Sequence, residues 1–139
     1  KETIEADGVT VFDTVEELYS TCDYVSLHIP ANEHTIKSIN YDLLSKMKPN
    51  AVLVNTARKE VINEDDMIKI FTEKSGFKYV SDIAPSNKEL LLESYPNRCF
   101  FTPKKMGAQT AEANINAGKA AARQIISFLE KGDTTFKVN

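Results

Sequence analysis

Ala51-Val52-Leu53-Val54-Asn55-Thr56-Ala57-Arg58-Lys59-Glu60-Val61-Ile62-Asn63-Glu64-Asp65-Asp66 is the stretch on which the fold turns. Four apolar residues open it, three of them suited to a fully buried strand. The chain turns polar at Asn55-Thr56, brings a guanidinium at Arg58, and enters a capped helix at Asn63-Glu64-Asp65-Asp66, where carboxylates meet the positive end of the helix dipole. Buried strand, polar tip, arginine and helix start form the layout of a ligand site at the carboxyl end of a parallel strand.

Working upstream, Pro49-Asn50 turns the chain into this strand, and Asn40 is placed to cap a helix over residues 41–47. Residues 31–39 read as a loop. Before them Tyr24-Val25-Ser26-Leu27-His28-Ile29 is a strand stopped by Pro30, and Asp13 or Thr14 can cap a helix over 15–19. Val9, Val11 and Phe12 alternate as a short strand does. Downstream, Met67, Ile68, Ile70 and Phe71 give the helix over 64–74 one apolar face, and Gly76 ends it. Tyr79–Ile83 and Arg98–Phe101 read as strands flanking a short helix near 88–94. A long helix over about 110–130 precedes Gly132, which suits a C-terminal stop. Alternation of strand and helix with short loops predicts an α/β chain with a parallel sheet and helices on both faces. The polar strand tips then converge on one edge: His28-Ile29-Pro30, Asn55-Thr56-Ala57-Arg58, Asp82 and Thr102-Pro103-Lys104.

The 139 residues make one domain's worth of chain; 42% are hydrophobic and 27% charged, an ordinary balance that excludes disorder. The formal net charge is −3 with scattered lysines, which points away from nucleic acid and from a membrane surface. No apolar run nears the roughly 20 residues that span a bilayer. Cys22 and Cys99 lack metal-ligand spacing and read as reduced core thiols, and no metal set is expected. A cytosolic location is the expectation.

The ordered series Val25-Ser26-Leu27-His28-Ile29-Pro30, Leu43-Leu44, Met47-Lys48-Pro49, Leu53-Val54-Asn55-Thr56-Ala57-Arg58, Asp82, Thr102-Pro103 and Gly107-Ala108 resembles the D-2-hydroxyacid dehydrogenases over essentially the whole chain. The resemblance implies the second half of a doubly wound, Rossmann-type NAD-binding domain ending in a long helix. It implies NAD as cofactor, a small phosphorylated 2-hydroxy acid as substrate, and a homodimer. Arg58 matches the arginine that grips the substrate carboxylate and keto oxygen, a task suited to a planar fork of donors; an ordinary surface ion pair is the competing reading. Asp82 matches the aspartate beside the nicotinamide, against a strand-end residue capping a turn. His28, Ile29 and Pro30 match the strand tip flanking the cofactor, with no catalytic role for His28. Thr56, Ala57 and Arg58 lie along the cofactor in the matched pattern, and Gly107 and Ala108 allow a close approach to its nicotinamide end.

Two departures come together. The family usually carries a histidine directly after this Thr-Pro, oriented by a glutamate a few residues beyond the aspartate. Here Lys104 follows Pro103, Lys105 comes next, and the position five beyond Asp82 is Asn87. A lysine is already protonated near neutrality and needs no carboxylate to keep it so. Lys104 is therefore the expected proton donor; a shift of one residue gives the role to Lys105, and two solvated loop lysines are the alternative. His34 sits in a polar loop without a motif. The five glycines never form G-x-G-x-x-G, so the glycine-rich turn and the substrate domain are expected upstream of residues 1–139, and the segment alone is expected to be inactive. A catalytically silent dinucleotide sensor and a generic doubly wound module are the competing functions; Arg58 beside a proton donor favours the enzyme.

Overall fold

The structure, a computed structural model, describes residues 2–103 and 110–138. The chain divides into two compact units, Lys1–Lys104 and Lys105–Asn139. The first contains α1 (Glu2–Ala6), α2 (Val15–Thr21), β1 (Tyr24–Leu27), α3 (Tyr41–Leu44), β2 (Val52–Asn55), α4 (Glu64–Glu73), β3 (Lys78–Ser81), α5 (Lys88–Ser94) and β4 (Cys99–Phe101), with a single 3-10 turn at Lys59–Val61. The strands form one sheet in the order β1-β2-β3-β4 with every pairing parallel. Register aligns Leu27 with Asn55 and Asn55 with Ser81, so the strand tips end level with one another.

Caps fall where the side chains demand them. Thr14 accepts from Glu17 N at 3.2 Å, Asn40 from Leu43 N at 3.2 Å and Asn63 from Asp66 N at 3.4 Å, each filling an otherwise orphan amide of a first turn. Helix α3 stops at Leu44, short of the expected Met47, because the last turn tightens and its carbonyls are taken by a cation. Lys74 Nζ donates to Ser45 O at 2.7 Å, to Leu44 O at 3.3 Å and to Met47 O; burial pushes its pKa down. Arg98 serves the C-terminal end of α4 in the same way. Its Nη2 donates to Phe71 O at 2.9 Å and Lys74 O at 2.6 Å, and its Nε to Phe77 O at 3.0 Å. The guanidinium also lies 4.8 Å from the Phe71 ring centroid.

Burial alternates along the strands. Val25, Leu27, Leu53, Asn55, Tyr79 and Ser81 are buried, whereas Tyr24, Ser26 and Lys78 are exposed and Val52, Val54 and Val80 half-buried. Within the first unit the helices cover one face of the sheet, and β2 is buried on that side and half-buried on the other. Strands added in one direction through right-handed crossovers send their helices to the same side. Met67, Ile70, Phe71, Leu44 and Leu91 supply the helical side of that core, and Met47 packs there from the turn after α3. Val9, Val11 and Phe12 form no strand: alternation makes a strand only where a partner ladder takes up the backbone groups. Both cysteines are free and half-buried rather than fully in the core, and burial pushes the Cys99 thiol up to about 11.

The second unit is α6 (Ala111–Lys131), capped by Thr110, whose Oγ1 accepts from Ala113 N at 3.0 Å, and ended by Gly132 in the left-handed region at φ 66°. Among the described residues, no helix is long and apolar enough to cross a membrane.

Asp66 ties α4 to α3: its Oδ2 accepts from Tyr41 N at 3.1 Å and its Oδ1 from Lys69 Nζ at 2.7 Å. The hydrogen bond from Lys69, with that from Tyr41 N, holds its carboxyl below the usual range. A carboxyl depressed in the folded state contributes stability above its unfolded pKa of about 4, lost as pH falls through the folded value. Asp66→Asn is expected to lower the urea midpoint at neutral pH and to show a smaller drop than the parent between neutral pH and about pH 3. An equal drop in both proteins rules out this carboxyl as a source of the acid sensitivity.

Candidate functional site

The site is built around Asn55, the last residue of β2, only 2% exposed. Its Nδ2 donates to Arg58 O at 2.9 Å and its Oδ1 accepts from Ala57 N at 3.0 Å. One amide thus folds the three following residues back over the strand end. Asn55 O in turn accepts from Ser81 Oγ at 2.8 Å and from Asp82 N at 3.3 Å, which locks the tip of β3 beside that of β2. The Asn55 amide also lies 3.5 Å from the Tyr79 hydroxyl, whose pKa burial raises. Asn55 and Ser81 are the buried polar residues of this core. Sequence reading named Asn55 only as part of a polar tip and did not single out Ser81; a polar residue facing inward in an apolar strand is the signal that marks both.

The turn after Asn55 presents Arg58. The residue is exposed, with Nη1 bonded to Ala57 O at 2.8 Å. It shares a cleft of about 490 Å³ with His28, Ile29, Pro30, Ala31, Thr56 and Ala57. The tips of β1 and β2 are therefore brought together as the sequence implied. His28 Nε2 shares a 2.9 Å hydrogen bond with Ser26 Oγ, so its ring is engaged along β1. His34 stands apart, about 84% exposed beside Glu33.

Ser81 also shapes the next tip. Its hydroxyl lies 2.7 Å from Ile83 O and accepts from Ile83 N at 3.2 Å, which places Asp82 at the β3 end. Asp82 Oδ1 is buried and has no hydrogen-bond partner among the described residues, and the same is true of Asn87 Oδ1 five residues on. Thr102 follows β4; its N donates to Ser81 O at 3.1 Å and its Oγ1 to Asp82 O at 3.3 Å, so the chain leaves β4 beside Asp82. Lys104, Lys105, Gly107 and Ala108 lie outside the described residues. Among the described residues, no group of histidine, cysteine and acidic side chains could hold a metal ion.

Comparison with known proteins gives this arrangement a context. The family model for the NAD-binding domain of D-isomer specific 2-hydroxyacid dehydrogenases matches residues 1–103. D-3-phosphoglycerate dehydrogenase of Haemophilus influenzae is 31% identical over 132 residues, covering 91% of this chain and 32% of that protein. A glyoxylate reductase of Thermococcus litoralis is 32% identical over 120 residues, covering 81% and 34%. The crystal structure of NAD+-bound 3-phosphoglycerate dehydrogenase of Entamoeba histolytica superposes with a TM-score of 0.79 at 40% identity, covering 95% of this chain and 44% of that one. The chain thus spans about a third of the length of these two curated relatives.

The residues present fit a nicotinamide dinucleotide. The β1–β2 cleft has apolar walls in Ile29, Pro30 and Ala57 and a cation in Arg58, and the buried Asp82 Oδ1, without a partner among the described residues, is an acceptor of the kind a carboxamide NH2 can serve. The fit hangs on Asn55. Replacing Asn55 by Leu removes two backbone partners of the 55–58 turn, leaving Ala57 N and Arg58 O unpaired. A loss of about 2–3 kcal/mol in unfolding free energy is expected, read by urea titration. A stability equal to the parent's is incompatible with this account.

Proposed function

We propose, for a chain that belongs to the D-isomer specific 2-hydroxyacid dehydrogenases through their NAD-binding domain, that it supplies the nicotinamide-side wall and the substrate arginine of a D-3-phosphoglycerate dehydrogenase. The observation that carries the reading is Arg58, presented by the Asn55-braced turn into the cleft shared with the β1 tip. The bound cofactor supplies a hydride acceptor for the substrate's hydroxyl-bearing carbon. The protein's own residues do the rest. Arg58 binds the substrate carboxylate and the adjacent oxygen through charge-assisted bonds and so orients the carbon. Asp82 holds the carboxamide end of the cofactor through its buried oxygen. Lys104 moves the proton: as an ammonium it protonates the oxygen during reduction, and as a neutral amine it takes the hydroxyl proton during oxidation.

Phosphoglycerate as the substrate is supported by the names of several relatives, while relatives of comparable identity are named glyoxylate reductase and hydroxypyruvate reductase. Further chain completes the domain in this reading. The outer edge of β1 is unpaired in the sheet, a groove of about 540 Å³ runs beside it between α2 and α3, and the buried Tyr19 hydroxyl has no partner among the described residues. A preceding strand and helix carrying the glycine-rich turn and the ribose-binding acid fit that edge.

The test uses the complete protein that carries this chain, assayed for NADH oxidation with 3-phosphohydroxypyruvate, glyoxylate and pyruvate. Fastest turnover on the phosphorylated acid is expected; NADH binding without turnover on any of them identifies a dinucleotide sensor instead. Arg58→Gln is expected to lower kcat/KM roughly 100-fold, the size of a lost charged hydrogen-bond pair. Lys104→Ala is expected to abolish the pH-dependent step while Lys105→Ala keeps most of the turnover. The reverse pattern assigns the proton to Lys105.

A further inference from the structure

The cleft has two walls, and Asn55 braces one of them. The other is the chain leaving β1, from His28 to Ala31. Pro30 gives this wall part of its shape: the ring fixes its own φ and keeps Ile29 extended. It leaves the Pro30 carbonyl in need of a donor, and Thr35 supplies one. Thr35 Oγ1 donates to Pro30 O at 2.5 Å and accepts from Asn32 N at 2.9 Å. The hydroxyl has one hydrogen to give. Its other acceptors in reach, Asn32 Oδ1 at 3.1 Å and Asn32 O at 3.4 Å, are further away. Both already serve backbone amides, Oδ1 those of His34 and Thr35 and the carbonyl that of Ile36.

The far end of this loop is fastened to the opposite side of the cleft. Lys37 N donates to Glu60 O at 2.9 Å, Ile39 N to Val61 O at 3.0 Å and Asn63 N to Ile39 O at 2.9 Å. These bonds make a short parallel bridge between Ile39 and Ile62, on the segment that continues from the Arg58 turn. Lys37 reaches the bridge in the left-handed region, at φ 55°, a conformation a side chain other than glycine adopts only where its surroundings hold it. Side-chain bonding between Pro30 and that anchored stretch runs through the Thr35 hydroxyl.

We propose that Thr35 is a positioning residue for the dinucleotide: its hydroxyl fixes the Pro30 carbonyl and so sets the 28–31 wall against the 56–58 wall before the cofactor arrives. Thr35 does not line the cleft and acts through Pro30. The assignment rests on the reading of this cleft as the cofactor's. A wall held in place beforehand need not be ordered when the ligand binds, and the saving appears as affinity. Loss of the hydroxyl therefore weakens the dinucleotide and spares the hydroxy acid, which Arg58 orients from the other wall.

The test is Thr35→Val in the complete protein, a substitution that keeps the size and the β-branch and removes the hydroxyl. The dissociation constant of NADH, read by fluorescence titration, is expected to rise roughly tenfold, the equivalent of one hydrogen bond. The KM for NAD is expected to rise with it, while kcat at saturating NAD and the KM for the hydroxy acid stay within about twofold of the parent. Thr35→Ser is expected to restore the affinity. Thr72→Val is the matched control: Thr72 Oγ1 donates to Ile68 O at 3.1 Å and lies 3.0 Å from the Tyr95 hydroxyl, on α4 and outside the cleft. It is expected to bind NADH as the parent does. An unchanged NADH affinity in Thr35→Val, a loss no larger than that of Thr72→Val, or a loss that Thr35→Ser does not repair overturns the proposal. A parent protein that binds no NADH overturns the reading of the cleft and this proposal with it, so the two failures are told apart.

Discussion

A single buried amide, that of Asn55, sets the geometry of the site. A carboxamide carries a donor and an acceptor, and here they bond Arg58 O and Ala57 N, two main-chain groups of opposite kind a residue apart. An apolar side chain cannot close that turn, and a carboxylate cannot donate. Because the residue is buried, leaving either bond unmade costs more than on the surface. The turn is therefore held in one shape, and Arg58 is presented from it into the cleft without being packed itself. Rigid support under an exposed functional group is the arrangement that orientation of a substrate requires.

The neighbouring tip is tied to this one by the same kind of economy. Ser81, level with Asn55 in the register, gives its hydroxyl to the main chain of both its own turn and the adjacent strand. Thr102 extends the tie to the end of β4. Three parallel strands thus finish in a continuous ladder of side chain to backbone bonds. Behind it the core is stabilised by two cations, Lys74 and Arg98, that satisfy the carbonyls left over where helices end. Among the described residues, the buried side-chain oxygens without a partner belong to Asp82 and Asn87, beyond β3, and to Tyr19 beside the β1 groove.

Much of this was open to reading from residue order alone. Strand–helix alternation, a cap at Asp13 or Thr14, the caps at Asn40 and Asn63, and the stop at Gly132 follow from local chemistry, since each is decided by a residue within a few positions of the backbone it serves. The convergence of the β1 and β2 tips also followed, because parallel strands necessarily end on one edge. Tertiary structure decided what depends on distant partners. Val9–Phe12 has the alternation of a strand but no ladder to join, α3 ends early because Lys74, some thirty residues away, takes its carbonyls, and only the strand order shows that the unit's helices share one side. The duties of Asn55 and Ser81, and the burial of the Asp82 and Asn87 oxygens without partners among the described residues, belong to the same class. Whether a polar atom is buried and whether it is paired are properties of the packed chain, and no window of sequence contains both members of such a pair.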